Sequence, residues 1–267
     1  MTPELASSCT LRMVVGLQGV SLVVSREHET LALKSWLLPS TDHDFRVVEA
    51  ELRAIFGAER LLTLPFKSKS CALACSELTL VPRRLFDPNH LDQYFKLLLR
   101  EGVERKYDYA KLEAFDCYLV WAADARLTQL CGQYFAQGQI SHLAAPLLKT
   151  YHRLVPSEGF AVFANLRGQK IQLTIFERGN LVFFNTFYFS KPSDLLYFVL
   201  LTYKQFELNP LEIPLTLSGN VLEDSEIYKL LVRYIRTLRF AELPEGFKLP
   251  EHSKNLQPHF WFDLSTI

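Results

Sequence analysis

Neither sign of charge is in excess. Lysine plus arginine and aspartate plus glutamate each total 29, leaving a formal net charge of zero. Without a basic surplus the chain lacks the broad electrostatic footprint of a nucleic-acid-binding protein, so nucleic acid is not expected as its main partner. Long apolar runs are also missing. The longest, LLYFVLL at 195–201, falls far short of the roughly 20 residues that cross a bilayer, and no membrane insertion is expected. MTPELASSC at the start has no basic stretch leading into an apolar core, so it does not read as a secretory signal. Cysteine is scarce and odd in number. Cys9, Cys71, Cys75, Cys117 and Cys131 sit mostly inside apolar segments, which suits a reducing, cytoplasmic setting better than a disulfide framework.

Catalytic signatures are absent too. There is no GxSxG elbow, no Walker lysine loop and no GxGxxG, so hydrolase, P-loop and dinucleotide readings lack their motifs. Cys71 and Cys75 resemble a metal pair, but four residues apart in a strand they stand roughly 13 Å from each other, beyond shared ligation. They are read as core residues. The seven histidines (28, 43, 90, 142, 152, 252, 259) are scattered, and His142 reads as a core histidine.

What the chain does have is apolar content: 49% hydrophobic against 22% charged over 267 residues, enough for one large or two ordinary folded units. LRMVVGL, VSLVVS and TLALKSWLL read as three strands. A helix is expected from about Asp42 to Phe56, with Phe45, Val48, Leu52 and Ile55 on one face. CALACSELTLV (71–81) reads as a strand, and a helix carrying Leu91, Tyr94, Phe95 and Leu98 should follow DPN. CYLVWAA (117–123) is a buried strand leading to a helix with Leu127, Leu130, Cys131, Tyr134 and Phe135. ISHLAAPLLKTYHRLV reads as a short strand running into a helix.

VPSEG (155–159) is a polar break, after which the order restarts. GFAVFANL, QKIQLTIF and NLVFFNTFYF are three strands. A helix beginning near Ser190 to Asp194, with Pro192 suited to its first turn, is apolar nearly all round, so it should be buried from more than one side. IPLTLSG (213–219) is a short strand. A last helix presents Ile227, Leu230, Leu231, Tyr234, Ile235 and Leu238, with Glu223-Asp224 at its start. Each half therefore reads strand, strand, strand, helix, strand, helix. At a separation of 149 residues, Leu17 and Gly19 fall on Leu166 and Gly168, which points to a duplication. The expected domains are 1–155 and a smaller 156–267.

This doubled order resembles the ribonuclease H-like fold of the actin-like ATPase superfamily: α/β, two lobes, mixed sheets and a cleft between the lobes. More narrowly, GNLVFFNTFYFSKPSDLLYFVLLTYKQFELNP followed by PLTLSG is similar to a family of bacterial proteins of unknown function with an actin-like fold. ISHLAAPLL and VPRRLFD carry the looser likeness of the first half. The nearest functional analogues that the resemblance implies are actin-like subunits of pilus-assembly and secretion machines. The second lobe reads as short of a third strand–helix unit.

The resemblance also implies phosphate-binding turns in the first hairpin of each lobe, where a strand-end Asp holds Mg²⁺ and glycine N–H groups hold phosphate. Here the first turn is Gly16-Leu17-Gln18-Gly19 and the second Asn165-Leu166-Arg167-Gly168, and LSGN (217–220), with Ser218 and Gly219, resembles the nucleotide-side glycine turn of the family. Neither offers the carboxylate that Mg²⁺ needs, although Arg167 suits a phosphate. No cofactor is therefore expected, with ATP/Mg as the alternative. The leading expectation is a non-catalytic actin-like scaffold or adaptor. A nucleotide-binding protein or ATPase comes second, and an RNA- or ribosome-associated protein third. For partner binding, Lys229, Arg233, Arg236 and Arg239 read as a cationic face opposite the apolar stripe of the last helix, or simply as a solvated one. Arg83-Arg84 raise the same question. Phe260, Trp261 and Phe262 either fold back onto the body or form part of a dimer or partner surface.

Overall fold

The computed structural model describes residues 1–27, 29–38, 45–75, 77–99, 102–136, 138–250 and 257–267. His28, His43, His252 and the expected helix start at Asp42–Asp44 lie outside the described residues. The chain forms two compact units, one built on Met1–Leu147 and the other on Leu148–Glu245, to which residues 257–266 return.

Unit 1 opens with one helical turn, α1 (Pro3–Ala6), and three antiparallel strands, β1 (Thr10–Gly16), β2 (Gly19–Arg26) and β3 (Glu29–Leu37). β2 is buried at six of its eight positions, as a strand covered on both faces should be. α2 (Phe45–Ala58) follows, burying Phe45, Val48, Leu52 and Phe56 at helical spacing. It leads to β4 (Ser68–Leu73), which pairs parallel with β1. The chain then leaves this sheet for a separate antiparallel one made of β5 (Leu78–Pro82), β6 (Arg105–Leu112) and β7 (Cys117–Asp124), with β7 in the middle. α3 (Ala125–Gly132) leads back to β8 (Ile140–His142), parallel to β4, and α4 (Ala144–Leu154) follows.

Unit 2 repeats the main sheet. β9 (Phe160–Arg167), β10 (Lys170–Glu177) and β11 (Asn180–Tyr188) form the antiparallel meander. In α5 (Pro192–Gln205) proline occupies the first turn, and the Asp194 carboxylate accepts from the backbone N–H groups of Ser190 and Lys191. β12 (Leu215–Gly219) runs parallel to β9, α6 (Glu226–Leu231) starts at the Ser225 cap, and β13 (Leu238–Phe240) runs parallel to β12. α7 (Phe262–Thr266) closes the chain. The two five-stranded sheets have the same order, β3-β2-β1-β4-β8 and β11-β10-β9-β12-β13. This is the doubled mixed sheet expected from the sequence.

Several readings are corrected. The repeat register is 151 residues, not 149. The two-residue turn Leu17-Gln18 lies between paired Gly16 and Gly19, and Gly168-Gln169 lies between paired Arg167 and Lys170, so Gly19 corresponds to Lys170. The second sheet is not a strand short, because β13 supplies its fifth strand. The last helix ends at Leu231, and Leu238 pairs with Leu215 in β13. Arg233 and Arg236 therefore lie in turns and Arg239 in a strand, all exposed but on no common helical face. CALACSELTLV is two strands in two sheets. After DPN there is only a 3-10 turn, Leu91–Phe95, which buries Phe95 and leaves Leu98 70% exposed. α5 is covered mainly through Leu195, Val199, Thr202 and Tyr203, and Tyr197 is left 60% exposed.

Candidate functional site

Unit 2 collects buried polar groups at one end of its sheet. Because β9 and β12 run parallel with Asn165 opposite Ser218 and Leu166 opposite Gly219, Asn165 and Ser218 come within hydrogen-bond reach. The Asn165 amide nitrogen donates to Ser218 Oγ at 2.9 Å, and the Tyr151 and Ser218 hydroxyls lie 2.8 Å apart. The amide's second hydrogen goes to Asp263 Oδ1 at 2.7 Å. The other carboxylate oxygen, Oδ2, accepts from the Arg167 guanidinium at 3.1 Å. Asn165, Ser218, Asp263 and Tyr151 are all buried.

Aromatic rings wall the cluster. Tyr151 stacks on Phe163 at 4.3 Å and on Phe262 at 5.5 Å between ring centroids. Burial pushes the Tyr151 phenol well above its ordinary range, so it stays protonated at neutral pH. Burial likewise pushes the Asp263 carboxyl up, against the opposing pull of the Arg167 charge and the Asn165 hydrogen bond. Both carboxylate oxygens are held by N–H donors, one of them cationic. That is a donor set for an anion, and the adjoining guanidinium opposes a divalent metal ion.

The glycines have separate structural reasons. Gly219 has φ +82°, and a Cβ there would stand 2.1 Å from the Leu166 carbonyl oxygen, which accepts from Asn220 N–H at 2.8 Å. Gly168 occupies the exposed β9–β10 turn with φ +58°. In unit 1 Gly19 lacks a positive φ, and its constraint is the Trp36 carbonyl oxygen, 2.8 Å from where a Cβ would sit. The Gln18 carbonyl accepts from Leu38 N–H at 3.1 Å. By strand register, the unit 1 counterparts of Asn165 and Ser218 are Val14 and Ala72, which pair in the parallel β1–β4 ladder. Arg167 corresponds to Gly16. The polar constellation thus belongs to unit 2 alone.

Sequence reasoning singled out Asn165, Arg167, Ser218 and Gly219, which the structure brings together, and missed Tyr151 and Asp263. FWFDL gives no local sign of Asp263's role, because its partners Asn165 and Arg167 lie 98 and 96 residues away in the chain. Phe262 is buried on Tyr151, while Phe260 meets His259 edge-on and Trp261 is half-buried. His259 stacks on Phe240 at 3.8 Å, with Nε2 2.7 Å from the Val221 carbonyl. His142 is a core residue: its Nδ1 accepts from Ala144 N–H, so Nε2 carries the proton and donates to the Cys75 carbonyl. Arg83 faces Asp116 at 3.7 Å on the surface. Among the described residues, no three His, Cys, Asp or Glu side chains group as metal ligands, and no helix is long and apolar enough to cross a membrane.

A family model described as Protein of unknown function (DUF3822) matches residues 1–238. The chain belongs to this family. The match takes in Asn165, Arg167 and Ser218 and ends before α7. A Bacteroides thetaiotaomicron protein with actin-like ATPase fold and unknown function is similar at TM-score 0.75 and 18% identity, over 90% of this chain and 93% of that one. A PilM–PilN type IV pilus biogenesis complex contains a chain similar at TM-score 0.59 and 15% identity, covering 96% of this chain and 97% of that one. The ethanolamine utilization protein EutJ from Carboxydothermus hydrogenoformans is similar at TM-score 0.50 and 9% identity, over 97% of this chain and 88% of that one. No curated protein gives a significant match. At these identities the likeness establishes the fold, which is the actin-like ATPase fold.

Proposed function

We propose that this DUF3822 member is a non-catalytic actin-like scaffold or adaptor that binds another protein in the cytoplasm. The observation that carries this reading is the state of the β9 end, Asn165 to Arg167. The positions expected to grip Mg-nucleotide carry an amide and a guanidinium, and these are ligated by the chain's own Asp263. The matching strand positions of unit 1, Val14 and Ala72, are apolar. A reaction at Mg²⁺ needs anionic oxygen ligands, and the one carboxylate here is engaged with Arg167. The likeness to a chain of the PilM–PilN complex supports protein binding as the role that remains.

The test is affinity purification of the full chain from its native cells, followed by reconstitution from purified components. A partner that binds with unchanged affinity in the presence and absence of Mg-ATP supports the reading. Binding that requires ATP hydrolysis overturns it. One observation favours a second reading, nucleotide binding without hydrolysis: Arg167 beside the Gly168 turn keeps the chemistry of an anion site.

A further inference from the structure

We propose that Asp263 is a resident oxyanion ligand: α7 carries its carboxylate to Asn165 and Arg167 at the end of β9 and closes an oxyanion pocket that accepts phosphate or a small carboxylate once Asp263 is removed. This goes beyond the scaffold reading and does not depend on any partner.

Three observations converge. First, two donors from one strand end, the Asn165 amide and the Arg167 guanidinium, each hold a different oxygen of a single carboxylate, at 2.7 and 3.1 Å. Such a pincer recognises oxyanions. Second, the fold does not require this polarity. The same sheet order in unit 1 stands with Val14 and Ala72 at the corresponding places, so the polar set of unit 2 answers to its ligand rather than to the sheet. Third, the carboxylate arrives on a helix of five residues, too short to hold its own structure. It is positioned by docking, with Phe262 and Leu264 buried and His259 bound to the Val221 carbonyl. Asp263 therefore behaves as an attached ligand on a docked segment, not as part of the sheet.

The experiment compares melting temperatures of the full chain as wild type, Asp263→Ala, Asp263→Ser and the double variant Arg167→Met/Asp263→Ala. Each is measured in sodium chloride, inorganic phosphate and acetate at equal ionic strength. Wild type and the double variant should respond alike to all three salts. Asp263→Ala should show a saturable rise with phosphate, roughly 5–10 °C at a hundredfold excess over its dissociation constant. A rise with acetate alone would mark the pocket as a carboxylate site, and a rise with phosphate alone as a phosphate site; either supports the proposal. It is overturned if Asp263→Ala responds no more than wild type, or if the double variant responds equally. Should neither single variant fold in chloride, recovery of folded protein in phosphate or acetate supports the proposal, and failure in all three salts overturns it.

Discussion

Asp263 and Asn165 stand 98 residues apart in the chain, and their side chains meet at 2.7 Å. The contact ties a short terminal helix to the strand end where related folds are expected to place a metal-binding carboxylate. The acid is present, but it comes from elsewhere in the chain and is satisfied by the protein itself.

Replacing Asn165 with valine, its unit 1 counterpart, removes the donor to both Ser218 and Asp263. The carboxylate stays buried with one partner fewer, at a cost of about 1–3 kcal/mol. Urea denaturation should show a lower midpoint with an unchanged slope. An unaltered midpoint would mean that the amide is not supporting Asp263.

Gly219→Ala and Gly179→Ala place the same methyl group at nearly the same φ, +82° and +80°. At Gly179 nothing lies within 4 Å of the added Cβ, whereas at Gly219 it meets the Leu166 carbonyl. Gly179→Ala should cost about 1 kcal/mol and Gly219→Ala at least about 3 kcal/mol, read from equilibrium unfolding. Equal costs would contradict the close approach of β12 to β9.

Burial raises the Asp263 pKa above its unfolded value, with Arg167 and Asn165 facing it and Tyr151 and Ser218 beyond the amide. A group shifted upward contributes stability that is fully present below the unfolded pKa and is lost as pH rises through the folded one. Wild type should therefore gain stability relative to Asp263→Asn as pH is lowered from about 7 towards about 4. Chemical denaturation at a series of pH values checks this, and a difference that moves the other way would show the Arg167 charge outweighing desolvation.

Burial lifts the Cys117 thiol to about 11, and Cys71, beside Cys131, is raised as well. Little thiolate exists at pH 7.5, and Cys9 and Cys131 are also buried. In the native protein these four thiols should react with a disulfide reagent only as fast as the protein opens, and all five should react at once in denaturant. Rapid labelling of Cys71 or Cys117 in the folded state would contradict their packing.

The doubled sheet was legible because its strands alternate or run apolar between glycine turns. The α5 start was legible to within a few residues, near Ser190 to Asp194, from its first-turn residues. The β5–β7–β6 sheet was not. β6, RKYDYAKL, fully buries only Leu112 among its eight residues, so it carries no apolar stripe to mark it. Apolar spacing also misled at Ile227–Leu238, where Ile235 is buried from an irregular stretch and Leu238 is half-buried in a strand. The same positions fit a helical stripe. In the candidate site, Asn165, Arg167 and Ser218 could be found because the resemblance to actin-like ATPases implies phosphate turns at the ends of these strands. Asp263 could not, because its role depends on where a distant segment docks, and local periodicity holds no record of that.

The central claim is that the turns of this actin-like fold no longer hold Mg-nucleotide. Isothermal titration of the wild-type full chain with ATP in the presence of Mg²⁺ tests it most directly. The expected result is no saturable heat, and no release of phosphate on prolonged incubation. Saturable binding that requires Mg²⁺ and disappears in Arg167→Met would contradict the account.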